Sequence, residues 1–444
     1  MKLSKIIKLI AFKSLVLVAA CFMSCVDVLD IEDITNSDGN GLLVVEAILT
    51  DELKNQVVYL SRSDNRSDLE RDTTFIPFLT PGLRPRDTVS VEEGAIIKLL
   101  DNEGREFAFT ESRGGVYNSN EVFALQMGTT YQLDITTRDG NEYISKTMEI
   151  QGKAAIENVY TERAVSESGA DGVAIFVDSQ PIEGVTENYR YDYVETYKVI
   201  APLWDNQEFK LTNYTLCPES EYTLEVVDRE VQNRVCYNTI DSNTVIQTST
   251  FNNTTDNIER FMVRFIEKDN FIITHRYSIL VKQYVQSLES YTFYETLRKF
   301  SSSESLFSQI QPGELLANIS RKDGNTEPVL GWFEAVSVAQ QRIFFDFEDL
   351  FPEEELPDYP FNCQLLSVPE RILWCPRGAP EQLRDGCPPG AIEGIVGNFY
   401  TYYAGDEPEL APNSTCPGPY VVTTNICGDC RLLGDNVEPE FWIE

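Results

Sequence analysis

Short alternating runs of apolar and polar residues fill the chain from residue 41 to residue 150. Residues 42–49 and 56–60 are rich in β-branched and aliphatic side chains and are separated by polar positions, which is typical of strands. Further strand pairs flank Asp101–Gly104 and Asp139–Gly140, and the second of these is a strong hairpin signal. Regular strands of this kind predict an immunoglobulin-like β-sandwich over 41–150, interrupted by a weakly periodic loop over 61–89.

Residues 151–350 form a second strand-rich region with more aromatic side chains. Val173–Val177 is typical of a buried strand, and segments 261–266 and 276–284 are predicted to form a central pair of strands. Four tyrosines alternate along one further strand, and we take them as candidate binding residues: Tyr189, Tyr191, Tyr193 and Tyr197. The alternative is that they pack in the core or in a half-buried sheet, which is the commoner fate of such a pattern.

One helix is predicted, with Ser287 as its N-cap. Phe293, Leu297 and Phe300 then fall on one stripe at helical spacing, and Tyr291–Phe300 is a second candidate contact surface. The last region, 351–444, is rich in cysteine and proline and shows little periodicity, so we expect disulfides to hold its shape. The fold class predicted for the whole chain is therefore mainly β.

The N-terminus has the pattern of an export signal. Four lysines (Lys2, Lys5, Lys8 and Lys13) precede an apolar run over 14–23, which is shorter than the roughly 20 residues that span a bilayer. We predict a signal peptide over 1–24, lipidation at Cys25 and a polar tether over 25–40. Cys21 is the alternative lipidation site, but Cys25 has the longer apolar run before it and the acidic segment directly after it.

The charge of the chain limits its partners. The formal net charge is −35, and removal of residues 1–24 removes four lysines and no acids, which leaves −39. Such a surface repels nucleic acid and anionic lipid headgroups, so we expect neither as a partner. The predicted attachment to a membrane is the lipid anchor alone.

Eight cysteines remain after Cys21 and Cys25, and an even number in an exported chain predicts a disulfide framework. They are Cys217, Cys236, Cys363, Cys375, Cys387, Cys416, Cys427 and Cys430. Cys217 and Cys236 are isolated from the others, so we expect them to pair with each other. The last six can pair in 15 ways, which the sequence does not resolve.

The sequence offers little catalytic chemistry. Its one histidine, His275, falls in a predicted strand, and no nucleophile elbow accompanies it. Cys427–Cys430 has redox spacing, but no helical pattern follows it, so a structural role is favoured. Paired carboxylates for glycoside cleavage are uninformative in a chain with 71 acidic residues. We predict no catalytic residues, no cofactor and no metal site.

Several segments, taken in order, resemble an uncharacterised family of Bacteroidetes outer-membrane lipoproteins that is known as a domain of unknown function. The segments are Ser24-Cys25, Asp27–Ile31, Leu43–Glu52, Tyr291–Phe300, Ala317–Ile319, Val329–Ala335 and Cys427–Arg431, followed by Gly434, Asn436, Pro439, Phe441 and Trp442. Such lipoproteins are often encoded beside TonB-dependent receptors, which implies an accessory to an uptake channel. The acidic run after Cys25 is similar to a surface-export signal of that phylum. Its spacing is looser than the compact form of that signal, so the periplasmic face of the outer membrane is the alternative location.

We therefore expect a non-enzymatic outer-membrane lipoprotein, lipid-anchored and facing the cell surface, that binds a TonB-dependent receptor. The alternative is a structural subunit of a larger outer-membrane complex for secretion or barrel assembly. A glycan-processing hydrolase has the least support of the three hypotheses.

Overall fold

The fold is taken from a computed structural model, which describes residues 41–63, 90–215, 221–302, 317–371 and 387–444. The signal peptide, both candidate lipidation sites, the tether and most of the 61–89 loop lie outside these residues, as do Cys217 and Cys375. Among the described residues, no helix is long and apolar enough to cross a membrane. The prediction of a mainly β fold is confirmed.

The described part of the first region contains nine strands. They are β1 (Leu43–Thr50), β2 (Val57–Arg62), β3 (Ser90–Val91), β4 (Ile96–Asp101), β5 (Glu106–Arg113), β6 (Val116–Ser119), β7 (Thr130–Thr136), β8 (Glu142–Ser145) and β9 (Met148–Glu149). Both predicted hairpins are confirmed, because β4 pairs with β5 and β7 pairs with β8 in antiparallel register. Alternate residues of these strands, such as Val45, Leu99 and Leu133, are fully buried in one core.

In the second region, the residues that the structure describes form eleven strands and one long helix. The strands are β10 (Gly152–Val165), β11 (Asp171–Gly184), β12 (Asn188–Ile200), β13 (Gln207–Thr212), β14 (Thr223–Asp228), β15 (Val235–Asp241), β16 (Ile246–Ser249), β17 (Ile258–Glu267), β18 (Tyr277–Val285), β19 (Ile319–Arg321) and β20 (Leu330–Phe345), and helix α1 is Leu288–Ser302. The buried strand predicted at Val173–Val177 is confirmed within β11. Helix α1 begins after Ser287 as predicted, because the Ser290 amide donates to Ser287 Oγ at 3.1 Å.

Two sheets of this region share a core. One has the order β10-β11-β17, and the other contains β15-β12-β18-β20. The predicted central pair of 261–266 with 276–284 is wrong, because β17 pairs with β11 whereas β18 pairs with β12 and β20. Both strands are apolar because they contribute to the same core from different sheets, which periodicity alone cannot distinguish from direct pairing.

Strand β20 belongs to both regions. Its residues 330–336 pair in parallel with β1, and residues 337–345 pair with β18. The N-terminal core also takes in Ile319, Val329 and Phe333, so the predicted sandwich over 41–150 is completed by later residues. Gly331 is required at this junction, since its φ is +88° and a Cβ there would lie 2.0 Å from the Val45 carbonyl oxygen.

The described part of the C-terminal region is built from short elements. They are helix α2 (Phe347–Leu350), β21 (Leu366–Val368), helix α3 (Ala391–Val396), β22 (Tyr400–Gly405), β23 (Tyr420–Thr424) and helix α4 (Asn425–Gly428), with 3₁₀ turns at Pro408–Leu410 and Cys430–Leu432; a further 3₁₀ turn at Phe271–Ile273 precedes β18. Strands β21, β23 and β22 form a three-stranded sheet around a small core that includes Val368 and Val422. Phe209 and Leu224 of the β13–β14 hairpin pack against this core, so the hairpin and the C-terminal region form one unit.

Three disulfides hold the described part of the C-terminal region: Cys236–Cys430, Cys363–Cys427 and Cys387–Cys416. The predicted pairing of Cys217 with Cys236 is wrong. Cys236 lies on β15, and the final segment of the chain crosses the edge of that strand, where Tyr237 and Asp435 exchange backbone hydrogen bonds of 2.8 and 2.9 Å. This crossing places Cys430 beside Cys236, which is 194 residues away in the sequence, and the two cysteines form a disulfide.

Candidate functional site

The tyrosine strand is not a binding face. Tyr189, Tyr191, Tyr193 and Tyr197 lie on β12 with exposed fractions of 0, 0, 7 and 4%, inside the core of the second region. Tyr191 stacks on Phe261 at 5.0 Å, and its hydroxyl bonds to Gln283 at 3.0 Å. The predicted binding face is therefore wrong at these residues, and core packing accounts for their alternation.

The aromatic side chains of helix α1 pack against the rest of the protein. Phe293 is buried and stacks on Trp332 at 4.6 Å, while the ring of Tyr294 lies 4.6 Å from the Arg190 guanidinium. Leu297 is half-buried, and the side chain of Phe300 lies outside the described part of the chain. The helix covers a buried ion pair between Arg190 and Glu334 (3.3 Å), so its apolar stripe is structural.

His275 and the Cys427–Cys430 motif have structural positions. His275 is half-buried in the turn before β18, not inside the strand as predicted; burial, and then the charge of Lys198, lower its pKa. Cys427 and Cys430 pair with Cys363 and Cys236 respectively, which is consistent with the structural role favoured for the motif. No group of three or more histidine, cysteine or acidic side chains in the described ranges has the geometry to hold a metal ion.

A cleft of about 400 Å³ lies between the β13–β14 hairpin and the C-terminal region, and we call it the hairpin cleft. Its lining residues are Glu208, Phe209, Arg229, Ile395, Asn398, Tyr400, Thr401, Tyr402, Asn425, Asp429, Arg431 and Leu432. The volume falls within the range of about 300–1,000 Å³ that is usual for small-molecule sites.

Arg229, just after β14, is the fixed centre of the cleft. Its side chain is only 6% exposed, and it donates to the Asp205 carbonyl (2.8 Å), Glu208 (3.0 Å) and Thr401 Oγ1 (2.8 Å). Burial lowers the pKa of Arg229, although the neighbouring Glu208 and Asp429 oppose that change. Because three directions of its guanidinium are occupied by protein groups, the side chain is held in one orientation.

The opposite wall comes from the segment that follows β23. Arg431 binds Asp429 through both oxygens, with the shortest contact at 2.6 Å, and Asn425 donates to the carbonyl and side-chain oxygens of Asn398 at 2.8 and 2.7 Å. Burial opposes ionisation of Asp429, but the hydrogen bonds from Arg431 outweigh it, so the pKa of Asp429 is lowered. A general acid for glycoside cleavage needs a raised pKa, and Asp429 does not have one.

Two disulfides fix this wall to the rest of the protein. Cys427 and Cys430 flank Asp429 and bind it to two separate parts of the chain. Gly428 allows helix α4 to lie close to β22, because a Cβ at this position would lie 2.1 Å from Thr401 Cγ2. The sequence indicated Cys427–Arg431 only as a family motif and a disulfide segment. It gave no signal for the cleft, since Glu208 and Arg229 lie about 200 residues earlier in the chain.

The family model for the domain of unknown function DUF4249 matches residues 28–342. The match covers more than half of the chain, so the chain belongs to the DUF4249 family. No curated protein and no solved structure matches it. The hairpin side of the cleft lies within the matched residues, whereas the wall formed by residues 395–432 lies beyond them.

Proposed function

We propose that this member of the DUF4249 family is an exported, lipid-anchored binding protein of the outer membrane that works beside a TonB-dependent uptake receptor. It acts by contact and not by catalysis. The hairpin cleft receives a ligand, and the tether that follows Cys25 keeps the protein close to the receptor. The cell-surface face is the proposed location.

The observation that carries the proposal is the construction of the cleft. One wall is held by Cys236–Cys430 and Cys363–Cys427, and such disulfides persist in exported proteins. The other wall is centred on Arg229, which is fixed by three hydrogen bonds. A concave site whose polar groups are already held in place is suited to binding, because little side-chain freedom is lost when a ligand enters.

The export signal and the sequence resemblance support the location. The lysine-rich leader, the short apolar run and Ser24-Cys25 are the parts of a lipoprotein signal. The resemblance to outer-membrane lipoproteins encoded beside TonB-dependent receptors supports the partner. An acidic mature chain, with a net charge of −39 after four lysines are subtracted from −35, keeps the protein off anionic headgroups apart from its anchor.

Purification of the tagged full-length protein from native outer membranes, after mild cross-linking, tests the proposal. We expect a TonB-dependent receptor to be enriched. A Cys25→Ala variant should itself be lost from the membrane fraction, because it has no lipid anchor. Co-purification at fixed ratio with a secretion or barrel-assembly complex under every nutrient condition would favour the structural-subunit alternative. Turnover of a glycan that is abolished by Glu208→Gln would contradict the non-enzymatic part.

A further inference from the structure

The hairpin cleft is locally neutral on a strongly acidic protein. The chain carries a net charge of −35, yet the charged side chains of the cleft are two arginines and two acids. Each acid is paired inside the site: Glu208 with Arg229 at 3.0 Å and Asp429 with Arg431 at 2.6 Å. A charged ligand would have to compete with one of these pairs, and an anion would also meet the repulsion of the whole surface.

The paired groups keep unused hydrogen-bonding capacity. A guanidinium has five N–H donors, and protein groups take three of those of Arg229. Glu208 and Arg431 are 40% and 50% exposed, so their free lone pairs and N–H groups are accessible from the cleft. A hydroxyl group can donate to a carboxylate and accept from a guanidinium at once, without disturbing the pair.

Aromatic side chains supply the apolar part of the site. The ring of Phe209 is held edge-on between Tyr402 and Tyr420, with centroid distances of 5.2 Å to each. Tyr400 is half-buried, and burial raises the pKa of both Tyr400 and Tyr402 above the usual phenol value, so neither ring adds charge to the cleft. Rings beside fixed polar groups suit a ligand with apolar C–H faces and a hydroxylated edge.

We infer that the hairpin cleft binds a neutral, polyhydroxylated ligand, namely a short uncharged oligosaccharide. This inference rests on the proposed function as a binding protein and names the ligand class of the same site. The exposed guanidinium of Arg431, its mostly buried partner Asp429 and the amides of Asn398 and Asn425 contact the hydroxyl groups. Phe209 and Tyr400 contact the C–H faces of the sugar.

Isothermal titration calorimetry with the purified mature protein tests the inference. The probes are neutral malto-, cello-, xylo- and manno-oligosaccharides of two to six units, with oligogalacturonides, chitosan oligomers and neutral peptides for comparison. We expect saturable binding of at least one neutral oligosaccharide and none of the charged ones or the peptides. Arg431→Ala and Asn425→Ala are expected to raise its Kd at least tenfold.

Arg113→Ala is the matched control, because Arg113 is an exposed arginine on β5, far along the chain from the cleft, and the variant is expected to stay within twofold of the parent Kd. Absence of binding by every neutral oligosaccharide, tighter binding of an acidic, cationic or peptide probe, or binding unaffected by both cleft variants would each overturn the inference. Receptor co-purification is measured separately, so the ligand class can fail while the proposed function stands.

Discussion

The buried ion pair beneath helix α1 gives a sharp prediction about stability. The Arg190 side chain is 6% exposed and Glu334 is fully buried, with 3.3 Å between their charged atoms. Tyr284 and Tyr294 lie 4.7 and 4.6 Å from the guanidinium, and Gln286 donates to the other Glu334 oxygen at 2.9 Å. Replacement of Arg190 by methionine fills a similar volume but leaves the Glu334 carboxylate buried without its cation.

Removal of one partner of a buried pair costs about 3–5 kcal/mol, because the remaining charge is uncompensated. We therefore expect Arg190→Met to lower the free energy of unfolding by about that amount. The double variant Arg190→Met/Glu334→Leu removes the two buried charges and leaves Asp192, which also contacts Arg190 at 3.2 Å but is 33% exposed to solvent. Apolar replacement of a buried pair is often neutral or stabilising. Arg190 Nε is buried without a partner among the described atoms, so the pair is incompletely satisfied and the double variant should recover most of the loss.

Urea denaturation followed by circular dichroism and tryptophan fluorescence measures this cycle, with the transition of the second region taken separately if two transitions appear. Arg113→Met, the same substitution at an exposed position, is the control and should change stability by no more than about 0.5 kcal/mol. Arg190→Met that behaves like this control would refute the reasoning. A double variant that loses as much stability as Arg190→Met and Glu334→Leu lose together would also refute it.

Three further predictions concern other parts of the chain. Mass spectrometry of the mature N-terminal peptide should find the lipid on Cys25, and a lipid on Cys21, or on neither, would contradict the assignment. Reductant should make 351–444 sensitive to limited proteolysis, since loss of a native disulfide typically costs about 2–5 kcal/mol, and equal resistance with and without reductant would contradict this. Gly331→Ala should destabilise the protein by more than about 1 kcal/mol, because alanine is strained at a φ of +88° and its Cβ would meet the Val45 carbonyl oxygen at 2.0 Å. An unchanged unfolding midpoint would contradict this prediction.

Features that depend on neighbouring residues were predictable from the sequence. The hairpins at Asp101–Gly104 and Asp139–Gly140 and the helix start at Ser287 are encoded within a few residues, by turn chemistry and by a side chain that caps the helix. The alternation of apolar residues likewise identified β1 and β11 as strands.

The tyrosine strand shows why burial was harder to predict. Tyr189 and Tyr191 face the core, and Arg190 between them suggests a solvated opposite face. That opposite face is covered by helix α1, and the arginine is paired with Glu334 from β20. A strand that is covered on both faces can keep an alternating pattern when a buried charge has a partner, and that partner lies 144 residues away.

Contacts between distant parts of the chain were not predictable. Cys236 lies 19 residues from Cys217 but pairs with Cys430, because the chain end crosses the edge of β15. The cleft has the same origin, since its two walls come from segments around residues 208–229 and 395–432. Proximity in the sequence therefore predicts neither the disulfide partner of Cys236 nor the residues that line the cleft.

The pairing of β1 with β20 has a consequence for the order in which the fold is completed as the chain emerges. Val44 pairs with Leu330, which is 286 residues further along the chain. Until residues 330–336 emerge, one edge of β1 has no neighbour, although Val45, Ala47 and Leu49 on that strand are fully buried in the finished fold. Contacts of such long sequence separation form late and slowly, and an unpaired apolar edge invites association with other chains. The first strand of the described chain is thus among the last to be enclosed, and its apolar edge stays open to association until its distant partner strand arrives.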